Sequence, residues 1–145
     1  MQPETKVKPE AIDHPSHYRA ESGIEVIDVI EDMGLGWGFC IGNAIKYIAR
    51  AGEKVPQGKT KTEATIEDLK KALWYLNRAN NDRGARVLEC PIIELNEIAE
   101  AWTLTEKRYV AIQQIVYMAI GNGVRQSLNA AITAIEDEVT ELEKQ

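Results

Sequence analysis

Apolar residues recur at helical spacing along most of this chain, and no segment alternates apolar and polar residues as a half-buried strand would. This pattern predicts an all-α fold. Glycines, prolines and capping residues divide the pattern into separate helices. We place these helices at residues 24–33, 39–51, 62–81, 92–101, 103–120 and 124–145.

The boundaries rest on local signals. Gly34, Gly36 and Gly38 are expected to break the chain after the first helix. Thr62 or Thr65 is expected to cap the third helix, with the acidic pair 67–68 in its first turn.

Two further expectations concern the C-terminal half. Thr103 and Glu106 have the spacing of a capping box. The last helix carries a heptad seam, which could pack inside one subunit or across a subunit interface. The seam consists of Leu128, Ile132, Ile135, Val139 and Leu142.

A chain of 145 residues is long enough for one small helical domain. We divide it into an N-terminal arm at residues 1–20, a helical core at 21–84, and a C-terminal helical hairpin at 85–145. Because so short a chain buries a limited fraction of its surface, we expect it to form a homo-oligomer.

Charge and composition argue against several classes of protein. The net charge of −6 argues against nucleic-acid binding, and no apolar run approaches a membrane span, so we expect a cytoplasmic protein. Cys40 and Cys90 form neither a disulfide framework nor a zinc motif and are expected to be buried free thiols. Residues 44–86 nevertheless carry ten basic and five acidic side chains, which suits a small anionic ligand or an acidic neighbouring surface.

The second and third helices share one polar design. Residues 44–51 read AIKYIARA and residues 72–79 read ALWYLNRA. At about 100° per residue, each helix has one apolar face, formed in the second helix by Ile41, Ala44, Ile45 and Ile48. The other face mixes aromatic rings with cations. Rings can stack on a base, and cations can hold a phosphate, although an ordinary solvated helix face has the same composition.

Four segments make the chain recognisable: HPSHY at 14–18, SGIEVIDVIE at 22–31, GNAIKYIARAGEK at 42–54 and EDLKKALWYLNRA at 67–79. Together they resemble the SaV-like family of phage proteins, catalogued first as a domain of unknown function and then as proposed nucleotide kinases. The resemblance covers about residues 13–80 and leaves 90–145 without a counterpart.

The resemblance implies a nucleotide-binding protein of the infected host cell. One family member, a coliphage enzyme, transfers a phosphoryl group from a nucleoside triphosphate to a nucleoside monophosphate, lacks a P-loop and forms a large oligomer. Carried over by motif, the ligand-binding residues are His14, His17, Tyr18, Asn43, Lys46, Tyr47, Arg50, Lys54, Asp68, Lys71, Trp74 and Tyr75. No catalytic residue is assigned.

The sequence itself contains no Walker motif. Gly58, Lys59 and Thr60 lack both the upstream glycine and the preceding strand, so they form either a basic loop that closes over phosphates or a solvated linker. His14 and His17 could contact phosphate or anchor the arm, and no third metal ligand accompanies them. Magnesium is compatible with the sequence but is not required by it, and no other cofactor is implied.

Three functions stay open at this point: a nucleotide kinase, a non-catalytic sponge that sequesters a nucleotide signal of host defence, and a helical protein-interaction module. A fourth comparison, with helical nucleotide pyrophosphohydrolases, is weaker. Their paired carboxylate spacing is only partly matched by Glu94, Glu97, Glu100, Glu138 and Glu141.

Overall fold

The computed structural model describes residues 20–82, 88–120 and 123–145. Within these ranges the chain forms six α-helices and no β-strand, which confirms the all-α prediction. The helices are α1 (Val26–Asp32), α2 (Gly36–Ala49), α3 (Lys61–Asn81), α4 (Leu95–Trp102), α5 (Glu106–Ala119) and α6 (Val124–Glu143). None of these helices is long and apolar enough to cross a bilayer.

Two helix pairs build the molecule. Helix α2 packs along α3, and α5 packs along α6. Helix α3 also packs against α6, and α2 touches α5, so the two pairs share one hydrophobic core that extends from Ile27 to Val139.

Small side chains allow the helices to approach closely. Ala44 on α2, Ala72 and Ala79 on α3, Ala111 on α5 and Ala131 on α6 are fully buried. Distances between packed helix axes depend on the side chains at the contact, so alanine brings the backbones together. Larger residues fill the space around them, among them Trp37, Ile41, Ile48, Leu69, Leu76, Leu128 and Ile135.

The heptad seam of the last helix packs inside this chain. Leu128, Ile132, Ile135 and Val139 are buried in the common core, and Leu142 packs against its edge. The seam therefore joins α6 to α3 and α5, and its side chains are already covered without a second copy of the chain.

Arg108 connects the two helix pairs through hydrogen bonds. Its buried guanidinium donates from Nε to the carbonyl oxygen of Ile48 (2.8 Å) and from Nη2 to that of Ala49 (2.7 Å). The last carbonyls of a helix lack intrahelical partners, so Arg108 satisfies the end of α2. Burial lowers the pKa of Arg108, an effect that the negative charges of Glu138 and Glu53 partly offset.

Several predicted boundaries are wrong by a few residues. Helix α2 begins at Gly36, so Gly36 and Gly38 lie inside it. The turn uses Gly34, whose φ of +77° favours glycine. A Cβ on Gly36 would lie 2.5 Å from Glu31 Cγ and 2.6 Å from Asp82 Oδ2, so glycine is needed there for close approach.

The caps of α3 and α5 also differ from the predictions. Thr60, not Thr62 or Thr65, caps α3 by accepting a hydrogen bond from the backbone of Glu63. The pair 67–68 consequently lies in the second turn. Thr105 caps α5, while Thr103 adopts a left-handed conformation at the end of α4.

Two burial predictions fail. Ile45 is 37% exposed, because it lies at the edge of the α2 face that contacts α3 and α5. Cys40 is fully buried as expected, whereas Cys90 is exposed in the segment before α4. Burial raises the pKa of the Cys40 thiol to about 12.

Candidate functional site

The polar faces of α2 and α3 meet in a cluster that we call the cationic aromatic patch: Lys46, Tyr47, Arg50, Lys71 and Tyr75. Tyr47 and Tyr75 come from different helices and stack with ring centroids 6.0 Å apart and an interplanar angle of 11°. Both rings are half-buried and pack against the core at their bases. Packing of α2 on α3 thus brings together five residues that the sequence predicted for ligand binding.

Three cations surround the single ring of Tyr47. Lys46 Nζ lies 4.5 Å from the ring centroid, Arg50 Cζ 5.1 Å and Lys71 Nζ 5.7 Å. Each cation gains from the negative face of the aromatic ring, typically about 0.5–1 kcal/mol at exposed sites. The three positive charges still repel one another at this spacing.

The charges in the patch are unequally compensated. Lys71 pairs with Glu67 at 3.4 Å. Lys46 and Arg50 form no ion pair with any residue in the described part of the chain. An anion at the patch would relieve the repulsion and complete the pairing, so the electrostatics of the patch favour a negatively charged neighbour.

Aromatic rings extend the patch along the helices. Phe39 meets Tyr75 edge-on at 5.9 Å, and Trp74 meets it at 5.1 Å and 90°. Phe39 is 40% exposed, and its ring contacts Tyr75, which stacks on the Tyr47 ring that the cations surround. Sequence reasoning missed Phe39, although it lies one helical turn before Asn43 and two turns before Lys46 and Tyr47, on the same side of α2.

Of the remaining predicted residues that the structure describes, three have structural contacts and one, Lys54, is exposed. Asn43 donates a hydrogen bond from Nδ2 to the carbonyl oxygen of Phe39 (2.9 Å). Asp68 Oδ2 accepts from the backbone N–H of Gly52 (3.0 Å), which holds the loop after α2 against α3. Lys54 is exposed on that loop. Trp74 lies with its ring 6.0 Å from the guanidinium of Arg78.

Arg78, at the same helix position as Arg50 in the shared pattern, has a different environment. It pairs with Glu31 and lies 3.5 Å from Asp28, so it ties α1 to α3. The hydrogen bond to Glu31 raises the pKa of Arg78. Two arginines with equivalent sequence positions thus differ in their partners, which sequence alone could not reveal.

The basic loop turns at Gly58 and ends where Thr60 caps α3. Gly58 adopts a φ of +86°. Lys59 pairs with Glu67, which also contacts Lys71, so a line of alternating charges links the loop to the patch. The Lys59 ammonium is therefore engaged by a carboxylate in this conformation.

His14, His17 and Tyr18 lie outside the described residues. Within the described ranges, no group of three or more His, Cys, Asp or Glu side chains is arranged to hold a metal ion.

The segment that carries the patch is the one similar to known proteins. Residues 12–77 match the model of a family described as a protein of unknown function, DUF3310. The chain is also similar to the Gene 1.7 protein of Enterobacteria phage T3, with 35% identity over 85 residues. That alignment covers 57% of this chain and 48% of the phage protein, so the chain spans about half the length of this curated relative. No solved structure matches the chain.

Proposed function

We propose that this chain is a phage nucleotide-binding protein whose ligand occupies the cationic aromatic patch. The observation that carries the proposal is the convergence of Lys46, Arg50 and Lys71 on the Tyr47 ring, with two of the three cations lacking a carboxylate among the described residues. The proposed setting is the cytoplasm of an infected cell, in keeping with the phage relative.

The distance between the Tyr47 and Tyr75 rings decides whether a base can insert between them or must stack on another ring. A base inserted between two rings needs a separation of about 7 Å, twice an ordinary stacking contact. Tyr47 and Tyr75 stand only 6.0 Å apart, so a base does not enter between them. We place the phosphates against Lys46, Arg50 and Lys71 and the base on the exposed ring of Phe39.

We further propose kinase-like activity, in which a phosphoryl group moves from a nucleoside triphosphate to a nucleoside monophosphate. Such transfer depends mostly on positioning and on neutralising the charge of the transferred group. Lys46 and Arg50 would supply that charge, with Lys54 and Lys59 reaching it from the loop. What supports this activity is the resemblance of the patch segments to the SaV-like family.

Binding is tested by isothermal titration calorimetry with nucleoside mono- and triphosphates. Arg50→Gln should weaken binding about 10- to 100-fold, since hydrogen bonds to charged groups contribute about 1.5–3 kcal/mol. Lys70→Gln is the matched control, because Lys70 lies on α3 and pairs with Glu143 on α6, away from the patch. Equal loss in both variants, or no nucleotide binding to the wild type, contradicts the proposal.

Catalysis and sequestration differ in the fate of the ligand. Purified protein is incubated with a labelled triphosphate and each monophosphate, then heat-denatured, and the nucleotides are separated. Appearance of labelled diphosphate supports the kinase. Recovery of unchanged, tightly bound ligand supports the alternative of a nucleotide sponge acting on a host signal.

A further proposal concerns self-association. The segment around α1 exposes several apolar side chains, namely Ile24 (55%), Val26 (51%), Val29 (52%), Met33 (70%) and Leu35 (57%). Contiguous exposed apolar residues are typical of interaction surfaces. We propose that this face joins copies of the chain, and light scattering of wild type and Val29→Glu tests it. A monomeric wild type contradicts the proposal and leaves the exposed face to the protein-interaction alternative.

A further inference from the structure

A cleft lies away from the patch, where the start of α3, the α4–α5 turn and the end of α6 meet. Its volume is about 460 Å³, within the range of about 300–1,000 Å³ typical of small-molecule sites. Its walls include Lys61, Thr65, Trp102, Thr105, Arg108 and Glu138. Four of these, Trp102, Thr105, Arg108 and Glu138, fall outside the segment that matches the family model.

Glu138 is the unusual residue of this cleft. It is only 8% exposed and lines the cavity. It forms no hydrogen bond or ion pair with any other residue that the structure describes. Its carboxylate oxygens remain accessible from the cleft, since Trp37 Nε1 alone is a fully inaccessible, unpartnered side-chain polar atom among the described residues. A ligand in the cleft can therefore donate hydrogen bonds to them.

Arg108 does not donate hydrogen bonds to the Glu138 carboxylate. Its Nε and Nη2 are committed to the carbonyl oxygens of Ile48 and Ala49. Its guanidinium forms no ion pair with Glu138, whose negative charge only partly offsets the lowering of the Arg108 pKa by burial. The Glu138 oxygens are therefore available to hydrogen-bond donors in the cleft.

The other walls limit the ligand's charge and shape. Lys61 and Arg108 balance Glu53 and Glu138, so the charged groups of the cleft sum to zero and favour a neutral ligand, in contrast to the patch. The indole of Trp102 is 43% exposed and offers a flat apolar wall for a ring. Threonine side chains supply further hydrogen-bonding groups.

We propose that this cleft binds a neutral, flat heterocycle that presents N–H donors on one edge, as a nucleobase or nucleoside does. The Glu138 carboxylate accepts the N–H groups, and the ring lies against Trp102. This site is separate from the patch and stands whether or not the patch binds nucleotides.

The test uses ¹⁵N-labelled full-length protein and the indole N–H signals of its tryptophans, assigned with Trp102→Phe and Trp74→Phe. Guanosine presents two adjacent N–H groups, inosine keeps only the ring N–H, and adenosine sets its amine beside an acceptor nitrogen. We expect guanosine to shift the Trp102 signal and leave Trp74 unmoved. Guanosine should bind about tenfold or more tightly than inosine or adenosine, the value of one hydrogen bond to a charged group.

Variants at two acidic positions of α6 provide the matched pair. Glu138→Gln should weaken guanosine binding at least tenfold, while Glu136→Gln, at an exposed position, should not change it. The proposal is overturned if no nucleoside shifts Trp102, or if methylguanidinium binds more tightly than guanosine, which would assign the cleft to a cation. Should Glu138→Gln fail to fold, the comparison of guanosine with inosine on the wild type decides alone.

Discussion

Charged side chains in the two helix pairs differ in their interaction partners. In the α5–α6 pair, Arg108 is bonded to backbone carbonyls and Lys107 pairs with Glu141. In the α2–α3 pair, Lys46 and Arg50 converge on Tyr47 without a carboxylate among the described residues. The contrast separates charges that have partners within the chain from charges that have none among the described residues, and we propose that the latter are available to a ligand.

The largest expected effect tests whether the two pairs share one core. Leu76 on α3 and Leu128 on α6 are both fully buried in the common cluster. Leu76→Ala and Leu128→Ala should each lower the free energy of unfolding by about 2–5 kcal/mol. Urea denaturation followed by circular dichroism should give one transition for both. Two separate transitions would show that the pairs unfold independently.

The second-largest loss of stability is expected when the hydrogen bonds from Arg108 to α2 are removed. Arg108→Met keeps much of the side-chain volume but leaves the carbonyls of Ile48 and Ala49 without their donor. We expect a loss of about 3 kcal/mol in the free energy of unfolding, because two hydrogen bonds to a charged group are removed. Arg125→Met, at an exposed position of α6, is the control and should change stability by less than about 0.5 kcal/mol. Equal effects of the two substitutions would refute the connecting role.

A much smaller change in stability is expected in the patch. Arg50→Gln removes one of three like charges around Tyr47 but also removes a cation–π contact, and because these effects have opposite signs the free energy of unfolding of the unliganded protein should change by less than about 0.5 kcal/mol. The same change should weaken nucleotide binding. Thermal unfolding with and without nucleotide measures both effects. A markedly lower melting temperature of the unliganded variant would mean that Arg50 holds the fold together, as Arg78 does.

These comparisons show what sequence reasoning can reach. Helical periodicity predicted the all-α fold, and the 100° rotation per residue predicted which side chains of α2 share a face with Lys46. The sequence could not predict that Arg78 has a carboxylate partner while Arg50 has none in the described part of the chain, because Glu31 contacts Arg78 only through tertiary packing. Thr60 was missed as a cap because three threonines at positions 60, 62 and 65 each satisfy the local preference. The cleft around Glu138 joins helices distant in sequence and has no local signature.

The smallest effect is expected for the surface pair Lys107 and Glu141. The pairing raises the pKa of Lys107 and lowers that of Glu141, so its contribution is lost as pH rises through the folded-state pKa of the lysine or falls through that of the glutamate. Solvent screens so exposed a pair, and Lys107→Gln should leave the urea midpoint at pH 7 almost unchanged. Any remaining difference between the two proteins should disappear as the pH falls through the folded-state pKa of Glu141, because the carboxylate is then protonated. If Lys107→Gln instead destabilised the protein as much as Arg108→Met, exposed ion pairs would contribute strongly to the stability of the α5–α6 pair. In that case the lack of ion-pair partners at Lys46 and Arg50 among the described residues would no longer support ligand binding at the patch.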